Sequence, residues 1–98
     1  MKVASTITIK EIKVASFHYL CGYVTVYDPG NLLNEDNVYN LDVHGGVTFY
    51  EYEDNMCTIG FDCNHAFDDI IKCNYQYVLD NCLMLKEQIL KILNETHN

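Results

Sequence analysis

The chain has 98 residues, of which 49% are hydrophobic, and its formal net charge is −8. This length predicts one domain spanning residues 1–98, and the hydrophobic content excludes a disordered tail. All six basic residues are lysines, so we do not expect the basic, arginine-rich groove typical of nucleic-acid binding. Neither a membrane span nor a signal peptide is predicted. We therefore expect a cytoplasmic protein, whose five cysteines are thiols or metal ligands.

The first part of the chain predicts two strands. Ser5–Val14 has alternating isoleucines, although the spacing of its later residues also suits a helical turn. Phe17–Tyr27 ends in a β-branched and aromatic run, and Asp28-Pro29-Gly30-Asn31 predicts the turn that follows it. Residues 31–40 contain four asparagines and predict a surface loop or one short helical turn.

A β-hairpin is predicted in the middle of the chain. Its arms are residues 47–52 and Met56–Asp62, and Glu53-Asp54-Asn55 forms the turn between them. Residues on a strand alternate between the two faces. The buried face of the second arm should therefore carry Cys57, Ile59, Phe61 and Cys63.

The last part of the chain predicts an amphipathic helix over Tyr75–Leu93, with Asn74 as its N-cap. Its apolar stripe has helical spacing and consists of Val78, Cys82, Leu85, Ile89 and Ile92. Such a stripe must be covered, and a sheet is the obvious partner. The predicted fold class is α+β, a small antiparallel β-sheet with one C-terminal α-helix packed across it.

Two histidines and several carboxylates fall at the ends of the predicted strands and in the turns. If the hairpin pairs as expected, its open end brings His44 close to Asp62. His65, Asp68 and Asp69 share one side if their turn is helical. Two imidazoles and two carboxylates suit Zn²⁺, Mn²⁺ or Fe²⁺, and Asp69 is expected to orient a ligand imidazole.

Cys63 is an alternative ligand to Asp62, because thiolate and imidazole together bind Zn²⁺ tightly. We rank Asp62 first, since alternation directs Cys63 towards the core, where cysteine behaves as a small hydrophobic residue. Cys73 could approach Cys63, but nothing in the sequence requires it. The alternative to a metal site is a set of polar residues that only form turns.

Eight tyrosines and fourteen carboxylates predict a surface for protein contact, because tyrosine adds rigid area with a polar tip. The candidate partner-binding residues lie on the hairpin and are Tyr50, Glu51, Tyr52, Glu53 and Asp54. Stacking of single-stranded bases is disfavoured, since it needs a basic groove beside the aromatic residues. A tyrosine-rich sheet face or edge could also support a homodimer.

Val43-His44-Gly45-Gly46-Val47-Thr48-Phe49 and Gly60-Phe61-Asp62-Cys63-Asn64-His65-Ala66-Phe67-Asp68 together resemble motifs of small accessory proteins encoded by tailed phages and prophages. The resemblance covers roughly residues 20–93. It implies that the motif residues His44, Asp62, Cys63, His65 and Asp68 matter for function. This chain departs from the pattern at Phe67, where glycine is common, and has no tryptophan before the second motif.

Some small phage proteins of this kind are anti-CRISPR or other anti-defence factors, so the resemblance implies an inhibitor acting in the host cytoplasm. The first hypothesis is a zinc-stabilised acidic protein that docks on a basic defence effector such as Cas9. The second is a small metal-dependent hydrolase acting on a nucleotide or signalling molecule. We favour binding over catalysis, because so short a chain leaves little material for a substrate pocket. A virion or assembly component is a third possibility.

Overall fold

The structure is a computed structural model that describes residues 4–15, 17–65 and 68–95. The elements in chain order are β1 (Ser5–Val14), β2 (Phe17–Tyr27), α1 (Glu35–Val38), β3 (Phe49–Glu53), β4 (Met56–Asp62) and α2 (Tyr75–Glu95). The four strands form an antiparallel sheet with the order β1-β2-β4-β3, and α2 packs on it. The predicted α+β fold class is therefore confirmed.

The first strand is confirmed over its whole predicted length, and β1 pairs with β2 from Ser5↔Val26 to Val14↔Phe17. The helical alternative for its second half is wrong, because this half pairs with β2 from Lys10↔Cys21 to Val14↔Phe17. The asparagine-rich segment forms the short helix α1, which is closed by a reciprocal capping box between Asn34 and Asn37.

The hairpin forms as predicted, with small shifts at its ends. Its first strand begins at Phe49 rather than residue 47, although the Thr48 N–H still donates to the Gly60 carbonyl. The turn contracts to Asp54 and Asn55, which have φ values of 52° and 63°. Two successive positive φ values produce the twist that a two-residue hairpin needs, and Asp and Asn tolerate that conformation.

The core lies between α2 and one face of the sheet. Strand residues Val24, Ile59 and Phe61 are fully or almost fully buried, as are Val78 and Leu85 on the helix. This arrangement confirms the predicted buried face of β4 and most of the predicted helix stripe. At the C-terminal end of the stripe, Leu93 is buried and Ile92 is only half-buried. Among the described residues, neither helix is long and apolar enough to cross a membrane.

Cys57 and Cys82 lie in this core with no exposed surface. Burial raises the pKa of each thiol to about 11, because the charged thiolate would lose its hydration. Both residues therefore act as small apolar side chains, as the sequence predicts.

The opposite face of the sheet is uncovered and more polar. The hydroxyls of Thr25 and Thr58 are 2.9 Å apart across the β2–β4 pair. The Tyr23 ring lies over Gly60, where a Cβ would collide with it, and meets Phe49 edge-on at 5.5 Å. Aromatic side chains therefore cover the glycine and hold the neighbouring strand.

The close approach of α2 to the sheet depends on Gly22. A Cβ at this position would lie 2.6 Å from the Cys82 sulfur and 2.7 Å from the Phe61 ring. We expect Gly22→Ala to lower the free energy of unfolding by at least about 2 kcal/mol, because the core would have to open. Urea denaturation measures this loss.

Gly30→Ala is the control. Gly30 has a φ of +65° but no neighbour near the added methyl, so only the backbone strain of about 1 kcal/mol is expected. Equal losses for the two variants would contradict the steric role of Gly22.

Candidate metal centre

Three potential ligands converge from separate parts of the chain. His44 lies in the loop before β3, Cys63 directly follows β4, and Cys73 lies just before α2. One ligand atom from each residue lies within 4.8 Å of the other two, and the His44 Nε2 is 3.7 Å from the Cys73 sulfur. This group could hold a metal ion.

Helix α2 fixes the orientation of His44. The Asn81 side-chain oxygen accepts a hydrogen bond of 3.0 Å from the His44 backbone N–H, and the Tyr77 hydroxyl is 2.7 Å from Nδ1. When no metal is bound, Nε2 can carry the proton and donate it to the Asp68 carboxylate. A metal ion at Nε2 would replace that proton, and Nδ1 would then donate to the Tyr77 hydroxyl. An imidazole held through its other nitrogen is the usual arrangement of a metal-binding histidine.

Asp68 brings a carboxylate to the same place. Both of its oxygens lie 3.0 Å from the His44 Nε2, and Oδ2 accepts the backbone N–H of His65 at 3.1 Å. Burial alone would raise the pKa of Asp68, but hydrogen bonds from His44 and from the His65 backbone hold it below its ordinary value. The charged carboxylate thus lies beside the group, although its oxygens are not among the ligand atoms that all lie within 4.8 Å of one another.

The two thiols lie side by side. Burial raises the pKa of Cys63 and of Cys73, and the negative charge of Asp68 raises both further. The hydrogen bond between the two thiols raises the pKa of Cys63 and lowers that of Cys73. In the absence of a cation both cysteines therefore remain protonated at neutral pH. A metal ion would displace these protons, because the thiolate is the form that coordinates.

Backbone hydrogen bonds place the two cysteines. The Cys63 N–H donates to the Leu20 carbonyl at 3.0 Å, which extends the β2–β4 pairing by one residue. The Cys73 N–H donates to the Asp69 carbonyl at 2.8 Å. Asn74 then caps α2 as predicted, since its side-chain oxygen accepts the Tyr77 N–H at 3.0 Å.

Asp62 and His65 lie beside this group but pair with each other, at 3.3 Å between Oδ1 and Nε2. Asp62 also accepts the Thr48 hydroxyl at 2.9 Å. The His65 ring is centred 6.0 Å from that of His44 and covers Gly45, whose φ of +68° and missing side chain make room for it.

The ranking of Asp62 above Cys63 is therefore not supported by the geometry. Alternation does direct Cys63 to the core side of the sheet, as predicted, but the group of His44, Cys63 and Cys73 lies on that side. His44 and Cys73 reach it from the segments before β3 and α2. Burial of Cys63 therefore does not exclude it from a site that could hold a metal ion.

One further expectation differs from the structure. Asp69 orients no ligand imidazole in the described contacts, and its Oδ1 instead accepts the Lys72 N–H at 2.8 Å. The sequence does not decide whether Cys73 is a ligand. Its position directly before the N-cap of α2 could have indicated that it lies near Cys63 at the end of β4. Phe67, the departure from the phage pattern, lies outside the described residues.

The candidate partner-binding residues divide into two groups. The Tyr50 hydroxyl donates to the Leu33 carbonyl at 3.1 Å, and the Tyr52 hydroxyl donates to the Gly30 carbonyl at 2.7 Å. The two tyrosines thus fasten the segment before α1 to β3. Glu51, Glu53 and Asp54 are exposed and remain available to a partner.

Comparisons of this chain with protein-family models, with curated proteins and with solved structures found no match. Its function must therefore be argued from the site itself.

The Tyr77 hydroxyl can be removed with little effect on packing, because its ring also stacks edge-on against His44 at 5.3 Å. We expect Tyr77→Phe to weaken metal affinity about tenfold or more, since the imidazole loses the partner that orients it. Competition with a chromophoric chelator measures the affinity. Tyr75→Phe, on the exposed first turn of the same helix, should bind metal as the wild type does; an equal loss there would contradict this role.

Proposed function

We propose that this chain is a zinc-stabilised acidic binding domain, which inhibits a basic, nucleic-acid-binding protein by docking on it. The convergence of His44, Cys63 and Cys73 is the observation that carries the proposal. The expected partner is a defence effector of the Cas9 kind, a class suggested by the resemblance to phage accessory proteins.

The donor set supports zinc over the other metals that the sequence allowed. Two thiolates and one imidazole are soft to borderline ligands, which favour Zn²⁺ over Mn²⁺ and Fe²⁺. With the Asp68 carboxylate they make four donors, the number of a closed structural zinc site. Zinc bound by His44, Cys63 and Cys73 would cross-link parts of the chain that are distant in sequence.

Such a site has a structural consequence in a domain of this size. It would join the loop before β3 and the end of β4 to the segment before α2. A small core contributes little net stability, so metal ligation can decide whether a domain of this length stays folded. This argument favours a stabilising role for the metal over a catalytic one.

Charge supports the nature of the partner. The net charge is −8, and the carboxylates of Glu51, Glu53 and Asp54 are exposed around the β3–β4 turn. An acidic surface of this kind is attracted to a groove that binds nucleic acid and can block it.

The hydrolase alternative also has a supporting observation. Cys63, Asp68 and Cys73 line a cleft of about 340 Å³ that opens to solvent, so a bound ion could be accessible to a small substrate. An enzyme of this kind requires an open coordination position. Turnover of a phosphoester by the zinc-loaded protein, abolished by Cys73→Ser, would favour this alternative.

Elemental analysis of protein purified under reducing conditions tests the metal site. We expect one equivalent of zinc in the wild type, and none in His44→Ala, Cys63→Ser or Cys73→Ser, because each change removes a donor. The same variants should melt at a lower temperature. Chelation should lower the melting temperature of the wild type but not that of these three variants.

His18→Ala and His65→Ala are the matched controls. His18 is exposed on β2 and lies near Glu11, and His65 pairs with Asp62 rather than with the group. Both variants should retain zinc. Loss of zinc in His65→Ala with retention in Cys73→Ser would contradict this ligand set and restore the set predicted from the sequence.

Association with a Cas9-type effector tests the partner. We expect Glu51→Gln/Glu53→Gln to slow association several-fold at low ionic strength and to reduce its salt dependence, because exposed charges mainly steer encounters. Biosensor kinetics at several salt concentrations measure this effect. Glu35→Gln/Glu87→Gln removes the same charge elsewhere on the surface, and an equal effect there would contradict a role for the turn.

A further inference from the structure

A cleft lies between the tip of the β1–β2 hairpin and the segment that carries the metal ligands. Its volume is about 340 Å³, which is enough for two or three side chains. Phe17 and Ile70 line it and are 52% and 37% exposed, an unusual exposure for such apolar residues close together.

One wall of this cleft is an edge of β2 that has no backbone partner among residues 4–15, 17–65 and 68–95. Strand β2 pairs with β4 only from Cys21↔Asp62 onward, and the last bond along this edge joins the Leu20 carbonyl to Cys63. Backbone groups of an antiparallel strand point to one side at every second residue. The Leu20 carbonyl points towards β4. The N–H and C=O of His18, two residues earlier, therefore point to the same side of β2, but β4 does not extend that far.

The opposite wall is acidic and depends on the metal site. Asp69 is exposed at the cleft, and Cys63, Asp68 and Cys73 also line it. The Asp69 side chain lies outside the group of His44, Cys63 and Cys73, so its carboxylate is available to a partner at the cleft. Asp68 and Cys73 lie on either side of Ile70 in the sequence. A metal bound by both residues would therefore hold this wall of the cleft in place.

An unpaired edge, apolar side chains and negative charge select one kind of occupant. An exposed strand edge binds an extended peptide through backbone hydrogen bonds, while side-chain pockets provide specificity. The apolar residues accept an apolar side chain, and Asp69 attracts a lysine or arginine. An acidic segment would not match the charge, and a helical segment could not pair with the strand edge.

We infer that this cleft is the anchor site for a basic, extended segment of the partner protein, which adds to the edge of β2 beside Phe17 and Ile70. The inference rests on the proposed function and adds to it a docking site at the opposite end of β2 from the acidic β3–β4 turn. The metal then has a direct consequence for binding, because its ligands form part of the cleft.

Three blocked hexapeptides serve as probes of the zinc-loaded protein: alternating lysine and leucine, glutamate and leucine, and lysine and serine. Backbone amide NMR shifts report binding. We expect the lysine–leucine peptide alone to bind, with shifts concentrated at residues 17–20, 63–65 and 68–73. Shifts concentrated on the uncovered sheet face, or equal binding of the glutamate peptide, would overturn the inference.

Variants of the two apolar residues sharpen the test. Phe17→Ser and Ile70→Ser should weaken peptide binding about tenfold, as expected when an apolar anchor is lost. Leu83→Ser changes an equally exposed residue on α2 and should leave binding unchanged. Both cleft residues are on the surface, and thermal melts and zinc content should confirm that the variants remain folded.

The outcomes separate this inference from the proposed function. One equivalent of zinc with no peptide binding would overturn the cleft and leave the zinc-stabilised domain intact. Absence of zinc in the wild-type protein would overturn the proposed function itself. Shifts at residues 17–20 that grow with protein concentration before peptide is added would assign the cleft to a second copy of this chain and overturn the peptide site.

Discussion

The attachment of His44 to helix α2 is the interaction on which the rest of the candidate site depends. Asn81 holds the backbone of His44 and Tyr77 holds its imidazole, so a loop with no regular structure is fixed at two points. The same helix is capped by Asn74, directly after Cys73. One helix therefore positions two of the three ligands, while the end of β4 supplies the third. Packing of α2 on the sheet, made possible at Gly22, brings them together.

Much of the fold could be predicted from the sequence because its elements have clear periodicity. The strands alternate, the helix has an apolar stripe and a capping asparagine, and the Asp54–Asn55 turn uses residues that accept positive φ. The helix end extends to Glu95 instead of Leu93, a difference of the size expected where helix ends fray. These features depend on local spacing, which the sequence displays directly.

The ligand set could be predicted only in part, because it depends on contacts between distant residues. His44 and the region 62–68 were identified from their positions at strand ends and turns. The sequence could not show that the site lies on the core side of the sheet, and that fact favours Cys63 over Asp62. Cys73 joins the group only because the segment before α2 folds back across the end of β4. Likewise, Tyr50 and Tyr52 have the composition of a binding surface but use their hydroxyls within the domain.

X-ray absorption at the zinc edge of the zinc-loaded protein identifies the atoms that surround the metal. We expect a four-coordinate shell with two sulfur ligands at about 2.3 Å and two nitrogen or oxygen ligands at about 2.0 Å. Cys73→Ser should remove one sulfur from the shell, or remove the metal altogether. A shell made only of nitrogen and oxygen would refute ligation by Cys63 and Cys73, since it would assign the metal to histidines and carboxylates and leave both thiols in the core.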